Sequence, residues 1–522
     1  MTESPSLTAG PQTRTQAVIE VGLIVLVMFV LSGGPTPAVN EAHYIGKARH
    51  YWDPTWCPTD RFLDSADAHL PFYLSFGWVT QFASFETTAW IGRALSWLLL
   101  AFAWQRLSWR LTPINFASVL SAGIWLTFVH HGHMSGEWIL GGVEAKVFAY
   151  PLLLGGLLAM LKGQWRGCWI WFGAAAALHV LVGGWAVLTA IFSWSLQPRD
   201  KRLSLPTMIP GLIMGGIIAL GGLVPAIELT RGVDPEIRTM ATHIYVNERL
   251  PHHLLLRVFA PLFILRHLGL IVLFFVLSWP LRKDERFRPL WSFVVGSIGL
   301  AAIGASIDLL AGGTPWGTGL LRYYWFRQTD VFVPLGVSIF GIARLAELRV
   351  QRPQLTQALV IGLFVVLFAS IGEATSRLGG RSIPAADRQG GIRTMSQWNH
   401  WKEVAEWCAI NLPTDALVIT PADHQTFRWY SDRSELVNWK DIPQDAEAII
   451  DWRERRAAVD QITRLLFHGY RQQANLAMKD LAEQYDGQYV IVRAPTSLPI
   501  NGLIPIYHNP DYLVLRVQPA DE

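Results

Sequence analysis

The chain has 522 residues, 51% of them hydrophobic and only 16% charged, with a formal net charge of +3. A soluble chain carries nearer a quarter charged residues, so an ordinary soluble globular protein is excluded over most of the length. The small net charge excludes a protein that works through a strong basic field on nucleic acid. The charge deficit falls before about residue 380, and from Arg388 onward the composition is that of a soluble domain. Twenty-four Trp residues fit rings anchored at two membrane interfaces. Cys57, Cys168 and Cys408 give neither metal spacing nor a disulfide framework.

A membrane span needs roughly 20 apolar residues. Taken in chain order, the stretches that qualify are 16–32, 86–105, 113–130, 146–161, 167–181, 183–197, 206–227, 254–281, 289–311, 323–343 and 355–374, about eleven in all. The first reads as a retained span, because LSGGPTPAVNEAH lacks a small-x-small cleavage site. The fifth and sixth are short, and Gly183-Gly184 allows them to be read as a re-entrant pair. Basic residues follow every even-numbered span: Arg106 and Arg110, Lys162 and Arg166, Arg199 to Arg202, Arg282 to Arg288, and Arg344 to Arg352. By the positive-inside rule those loops and the N-terminus are cytoplasmic. The odd-numbered exits and the C-terminal domain then lie outside.

The first outside loop, residues 33–73, is acidic and aromatic. It carries Glu41, Asp53, Asp60, Asp64 and Asp67 among His43, His50 and His69. The spacing predicts a short helix over NEAHYIGKARHYWDP, with Glu41, Tyr44 and Ala48 on one face. A carboxylate there suits a general base, and Glu41, with Asp53, is the catalytic candidate. In the second outside loop, His130, His131 and His133 complete no zinc motif. Glu137, Glu144 and Lys146 enter the fourth span, where an unpaired charge is costly, so they are expected to pair or to bind substrate. Glu137 and Glu144 are the candidate ligands of a divalent cation, the one cofactor left open.

The segment THIYVNERLPHHLL reads either as an interfacial helix ended by Pro251 or as a groove wall with Arg249 reading a phosphate. At the start of the tenth span, Tyr323, Arg327 and Asp330 share a face. Arg322 and Arg327 beside three aromatics suit a lipid phosphate, and an Arg327–Asp330 pair is expected. Arg93, in the second span, is a similar buried cation.

Residues 1–375 thus form the membrane region, 376–391 a linker and 392–522 an α/β domain. In that domain a helix precedes a buried strand at 416–420. A second strand falls near 435–439, helices near 445–467 and 472–484, and strands near 488–493 and 512–517. Asp423, His424, Gln425 and Arg428 follow the first strand and read as a surface loop facing the membrane region.

The acidic residue in the first outside loop, the acidic second loop and about eleven spans with the N-terminus inside resemble the C-type (GT-C) glycosyltransferase superfamily. The chain is also similar, through DHQTFRWYSDRSELVNWKDIPQD and GGVEAKVFAYPL, to an uncharacterised bacterial membrane family that ends in a domain of unknown function. The first resemblance implies transfer of a sugar from a polyprenyl-phosphate donor to an acceptor outside a bacterial inner membrane. Glu41 would be the base, Glu137 or Glu144 would hold a metal or the donor, and Arg322 or Arg327 would bind the lipid phosphate. The chain departs from the pattern in lacking a DxD in the second loop and a WWDYG-type motif in its C-terminal domain. Membrane lipid and the lipid-linked sugar are the implied partners, nucleic acid is excluded, and no protein partner is named. A transporter or flippase using Arg93, His179 and Asp308 is the alternative, and a non-catalytic scaffold the third reading.

Overall fold

The computed structural model describes residues 12–375, 382–494 and 502–518. It is mostly helical, with a small sheet near the C-terminus. Each of the eleven apolar stretches carries a helix. Six helices are long and apolar enough to cross a membrane, by length and composition: Arg14–Ser32, Leu205–Glu228, Pro261–Leu281, Arg288–Ala311, Arg327–Gln351 and Pro353–Thr375. The chain is a membrane protein.

The other five helices fall short of one condition or the other. Phe85–Leu111 has 27 residues but carries Glu86, Arg93, Arg106 and Arg110. Ala117–Gly132, Ala145–Leu161, Trp165–Leu178 and Val180–Ser195 have 16, 17, 14 and 16 residues. At about 1.5 Å per residue these reach roughly 21–26 Å, less than a hydrocarbon core of about 30 Å.

The break between the fifth and sixth stretches falls at His179, not at Gly183-Gly184. His179 takes an extended backbone conformation, and its ring nitrogen accepts from the Val182 amide to cap the next helix. The two short helices fold back on each other so closely that a Cβ on Gly183 would stand 2.1 Å from the Ala176 nitrogen. Trp165–Leu178 also lies against Leu205–Glu228 through glycines. A Cβ on Gly173 would be 2.1 Å from the Gly215 carbonyl oxygen, and one on Gly215 would be 2.2 Å from that of Trp169. Small residues let backbones approach where lipid gives no hydrophobic drive. Gly215→Ala must therefore push backbone against backbone. It should destabilise the folded protein by about 1–3 kcal/mol, read as a lowered thermal midpoint in detergent. Gly216→Ala, whose Cβ meets nothing within 4 Å, serves as the neutral control.

The helical core is aromatic. Trp104 stacks on Trp125 with ring centroids 4.2 Å apart, and their indole N–H groups donate to the Ser118 and Val331 carbonyls. Phe172, Phe293 and Phe332 continue the packing.

The sheet has strands β1 (Leu417–Ile419), β2 (Ser434–Glu435), β3 (Tyr489–Arg493), β4 (Leu503–His508) and β5 (Tyr512–Val517) in the order β2-β1-β3-β5-β4. The first three are parallel, while β5 runs antiparallel to β3 and β4. The expected strand at 435–439 is reduced to β2, because Asn438 turns the chain and its side-chain oxygen accepts from the Asp441 amide. The edge strand β4 is an addition. Its Pro505 sits at a bulge, which is where an edge strand tolerates a residue with no amide donor.

The first six residues of the expected linker, 376–381, lie outside the described residues. Its second half holds the short helix Ala385–Gln389, docked through the Ala386 amide on the Pro37 carbonyl, with Asp387 buried. The C-terminal domain sits on the first loop. The Trp56 indole donates to Asp432, and the Ala66 amide to Asp445. Arg428 is not on a surface loop. It is buried against Asp60 of the first loop at 2.6 Å.

Candidate functional site

A cavity of about 520 Å³ opens where the first loop, the second loop, the His179 break and the C-terminal domain meet. The helix Glu41–Trp52, predicted from the loop sequence, supplies His43 and Tyr44 to its wall. The second loop supplies Glu137, Glu144 and Lys146, and the C-terminal domain supplies Lys440 and Gln444. The helix after Asp234 does not run on to Pro251. It opens into a wider π-type turn over Ile244–Arg249, and Pro251 starts a new short helix. That irregularity turns Tyr245, Arg249, His252 and His253 toward the cavity.

Both carboxylates of the wall are paired. Glu137 accepts from Arg327 Nε at 2.9 Å and from the Tyr150 hydroxyl at 2.9 Å, and lies 3.1 Å from the Lys146 ammonium. Burial works to raise the Glu137 carboxyl, but Arg327 and Lys146 hold it below the usual range. Glu144 accepts from the Asn40 side-chain amide at 2.9 Å. Its other oxygen stands 3.2 Å from Lys146, an ion pair without hydrogen-bond geometry.

The cations are braced from behind. Arg249 donates to the Trp439 and Lys440 carbonyls, and Arg322 to that of Gln444. Arg327 lies over the Tyr324 ring at 4.2 Å, and Arg322 over Tyr245 at 5.2 Å. The Lys440 ammonium has no hydrogen bond or ion pair among the described residues. Burial and the nearby Arg249 lower it to about 8. Burial, with His43 and Arg327 close by, pushes the His69 imidazole down to about 3. With such histidines neutral, the wall carries Lys146, Arg249, Arg322, Arg327 and Lys440 against Glu137 and Glu144. That excess of positive charge in a sheltered space suits an anionic ligand.

Several sequence expectations change here. Glu41 does not line the cavity. It is fully buried, and Arg93 grips both its oxygens at 2.7 Å while the Ala38 and Val143 amides donate to it. A carboxylate saturated in this way has no lone pair for an acceptor proton, and Arg93 has no free face for a phosphate. Asp53 is bound to Arg49 and Thr55 beside a separate open groove. The expected Arg327–Asp330 pair is not formed. Arg327 goes to Glu137, while Asp330 accepts from the Met134, Ser135 and Glu137 amides and the Ser135 hydroxyl. Asp330 therefore shapes the second loop. Glu137 and Glu144 do not fit a divalent cation, because the Lys146 ammonium already stands between them. Among the described residues no group of three His, Cys, Asp or Glu is placed to hold a metal. Cys57, Cys168 and Cys408 are buried and free. The polar groups of the transport alternative do not share a path. Arg93 is locked to Glu41, His179 lines the cavity, and Asp308 accepts from the Arg257 amide.

Sequence reasoning missed Tyr44, His69, Lys440 and Asp441 as parts of one neighbourhood. Their separation along the chain gave no local signal, although the first loop's run of His and Tyr pointed to its end of the site. In comparison with known proteins, residues 399–459 match a domain of unknown function, DUF6798. No curated protein matches the chain. The matched stretch holds Arg428, Lys440 and Asp441, so it includes residues that dock the C-terminal domain and complete the cavity wall.

Proposed function

We propose that this protein is a membrane glycosyltransferase that moves a sugar from a polyprenyl-phosphate donor to an acceptor at the outer face of a bacterial inner membrane. The observation that carries the reading is the cation excess of the cavity beside apolar wall residues at the ends of membrane helices. Leu178, Val180, Leu181, Ala226 and Leu229 line the same space. A phosphate headgroup would sit among the arginines and lysines while its isoprenoid tail leaves along the apolar wall. The positive-inside pattern favours eleven crossings, with the cavity and C-terminal domain outside.

In the inverting reaction, the acceptor oxygen forms a bond to the anomeric carbon as the bond from that carbon to the phosphate oxygen breaks. The electron pair leaves on phosphate, where fixed cations stabilise the developing charge. The acceptor proton passes to a base in the cavity.

Native mass spectrometry of the purified protein tests the reading. Polyprenyl phosphate should co-purify with the wild type. Occupancy should fall at least tenfold in a Lys440→Ala/Arg322→Ala variant, since each lost contact of a charged donor contributes about 1.5–3 kcal/mol. Neither side chain holds a carboxylate partner and Arg322 gives up only its bond to the Gln444 carbonyl and its contact with Tyr245, so the fold should persist with a small fall in thermal midpoint. Bulk phospholipid alone, indifferent to the double change, would sink the proposal.

A further inference from the structure

Once Glu41 is withdrawn, the cavity needs another proton acceptor. Glu137 has both oxygens engaged, and Glu144 is held between Asn40 and Lys146. The histidines differ sharply in what they face. His69 meets the Tyr44 hydroxyl through Nε2, and His253 donates from Nδ1 to the Ser135 carbonyl. His179 contacts the Val182 amide through one nitrogen and Arg327 through the other. His252 lies near Arg249 and Lys440 and has no carboxylate beside it.

His43 is arranged otherwise. Its Nδ1 is 2.8 Å from Asp441 Oδ1, which fixes the proton on Nδ1 and leaves the Nε2 lone pair open. Nε2 has no partner among the described residues, and His43 lines the cavity. The ring is held between Phe62 and Tyr44, at centroid distances of 4.7 and 5.1 Å. Asp441 is itself fixed by Arg428 and by the Asn438 side-chain amide. This is the carboxylate–imidazole arrangement that orients a general base in hydrolytic triads.

We propose that His43, oriented by Asp441 of the C-terminal domain, is the proton acceptor of this cavity. The inference rests on the glycosyl-transfer reading for its reaction. His43 Nε2 takes the acceptor hydroxyl proton as the oxygen bonds to the anomeric carbon and the phosphate departs with the electron pair. The imidazolium is stabilised by Asp441 and later returns the proton to the released phosphate. The charged and titratable groups that face His43 are Asp441, Arg428 and Lys440 from the C-terminal domain and His69 and Tyr44 from the first loop. Burial lowers the imidazole below its ordinary 6.5, against the pull of Asp441, so the ring is neutral and ready to accept at neutral pH. A base built from two regions also gives the C-terminal domain a role, since the site is complete only when that domain is docked.

Two measurements on the full-length protein in detergent test this. In the first, diethyl pyrocarbonate labelling is located by peptide mass spectrometry. His43 should be modified alongside the exposed His468, and an added polyprenyl monophosphate should protect His43 alone of the two. Labelling of His468 with none at His43 would overturn the proposal. The second follows sugar transfer from a polyprenyl-phosphate hexose. His43→Gln should lower kcat by about 10²–10⁴-fold with the donor KM within threefold, and imidazole should restore turnover to His43→Gly. Full kcat in His43→Gln would overturn the base assignment. A wild type that is inert toward the donor but shows protected labelling at His43 would overturn the transferase reading and leave His43 standing as the open base of a cavity that binds lipid phosphate.

Discussion

Glu41→Ala will unfold the end of this protein built from its first two long loops rather than slow its chemistry. The carboxylate accepts four hydrogen bonds, two from Arg93 and one each from the Ala38 and Val143 amides. It ties the first loop to the second loop and to the Phe85–Leu111 helix. Gly142, which has a positive φ, brings the second loop against it so closely that a Cβ there would stand 2.7 Å from the Ala38 Cβ. Truncation leaves Arg93 buried, at 2% exposure, without its counter-charge. Removing one partner of such a pair costs about 3–5 kcal/mol. The expected result is a sharp loss of folded yield and a thermal midpoint lowered by many degrees. Glu41→Met/Arg93→Met, which removes both charges, should recover much of the loss, because an apolar pair leaves no orphan charge. A Glu41→Ala protein with wild-type stability and no turnover would instead restore Glu41 as the catalytic base.

The history of Glu41 shows what a sequence of this kind discloses. A carboxylate just beyond an apolar segment announces that charge is placed with purpose, but not what answers it. Arg93 lies 52 residues away, and only the packed helices bring the two together. The Arg327–Asp330 expectation failed for the same reason. Their spacing on one helix face was right, yet each found a stronger partner on the second loop. By contrast, the eleven helical stretches, the first-loop helix and three strands of the C-terminal sheet were legible, because local periodicity and turn chemistry decide them. The break at His179 was not. Of the Gly183-Gly184 pair, Gly183 is a point of helix contact rather than a break, and a capping histidine ends the helix. His43 was visible in the first loop, but its role depends on Asp441, nearly four hundred residues later.

Arg428→Met will release the C-terminal domain from the first loop. One guanidinium serves three buried carboxylates: Asp60 at 2.6 Å, Glu435 at 3.4 Å, and Asp441. Without it the three carboxylates have, among the described residues, no directly paired basic group but His43, and the expected loss is again about 3–5 kcal/mol. Even with Arg428 in place the cluster would carry excess negative charge if all three carboxyls ionised. Burial resolves this at Glu435, whose carboxyl is pushed up to about 7 against the attraction of Arg428. Asp441 is driven the other way: burial opposes its charge, but Arg428 and His43 hold it far below the usual range.

The two shifts set a pH window for docking. A carboxyl raised in the folded state contributes stability below its ordinary value of 4.5, and that contribution is lost as pH climbs toward 7. A carboxyl lowered in the folded state contributes above its ordinary 3.8, and that contribution is lost as pH falls below it. Glu435 by itself therefore weakens docking by roughly 3 kcal/mol between pH 4.5 and pH 7, while the buried His43 and His69, held below 6.5, weaken the folded state in the opposite direction as pH falls. The histidines are common to wild type and Glu435→Gln, so the difference between their thermal midpoints isolates Glu435: the variant should gain on the wild type as pH rises from 4.5 to 7 and be the more stable at pH 7. Parallel pH profiles for the two proteins would show that Glu435 does not hold the proton. Because Asp441 orients His43, Glu435→Gln should also leave the proposed sugar transfer at neutral pH intact, while Arg428→Met should abolish it together with the docking.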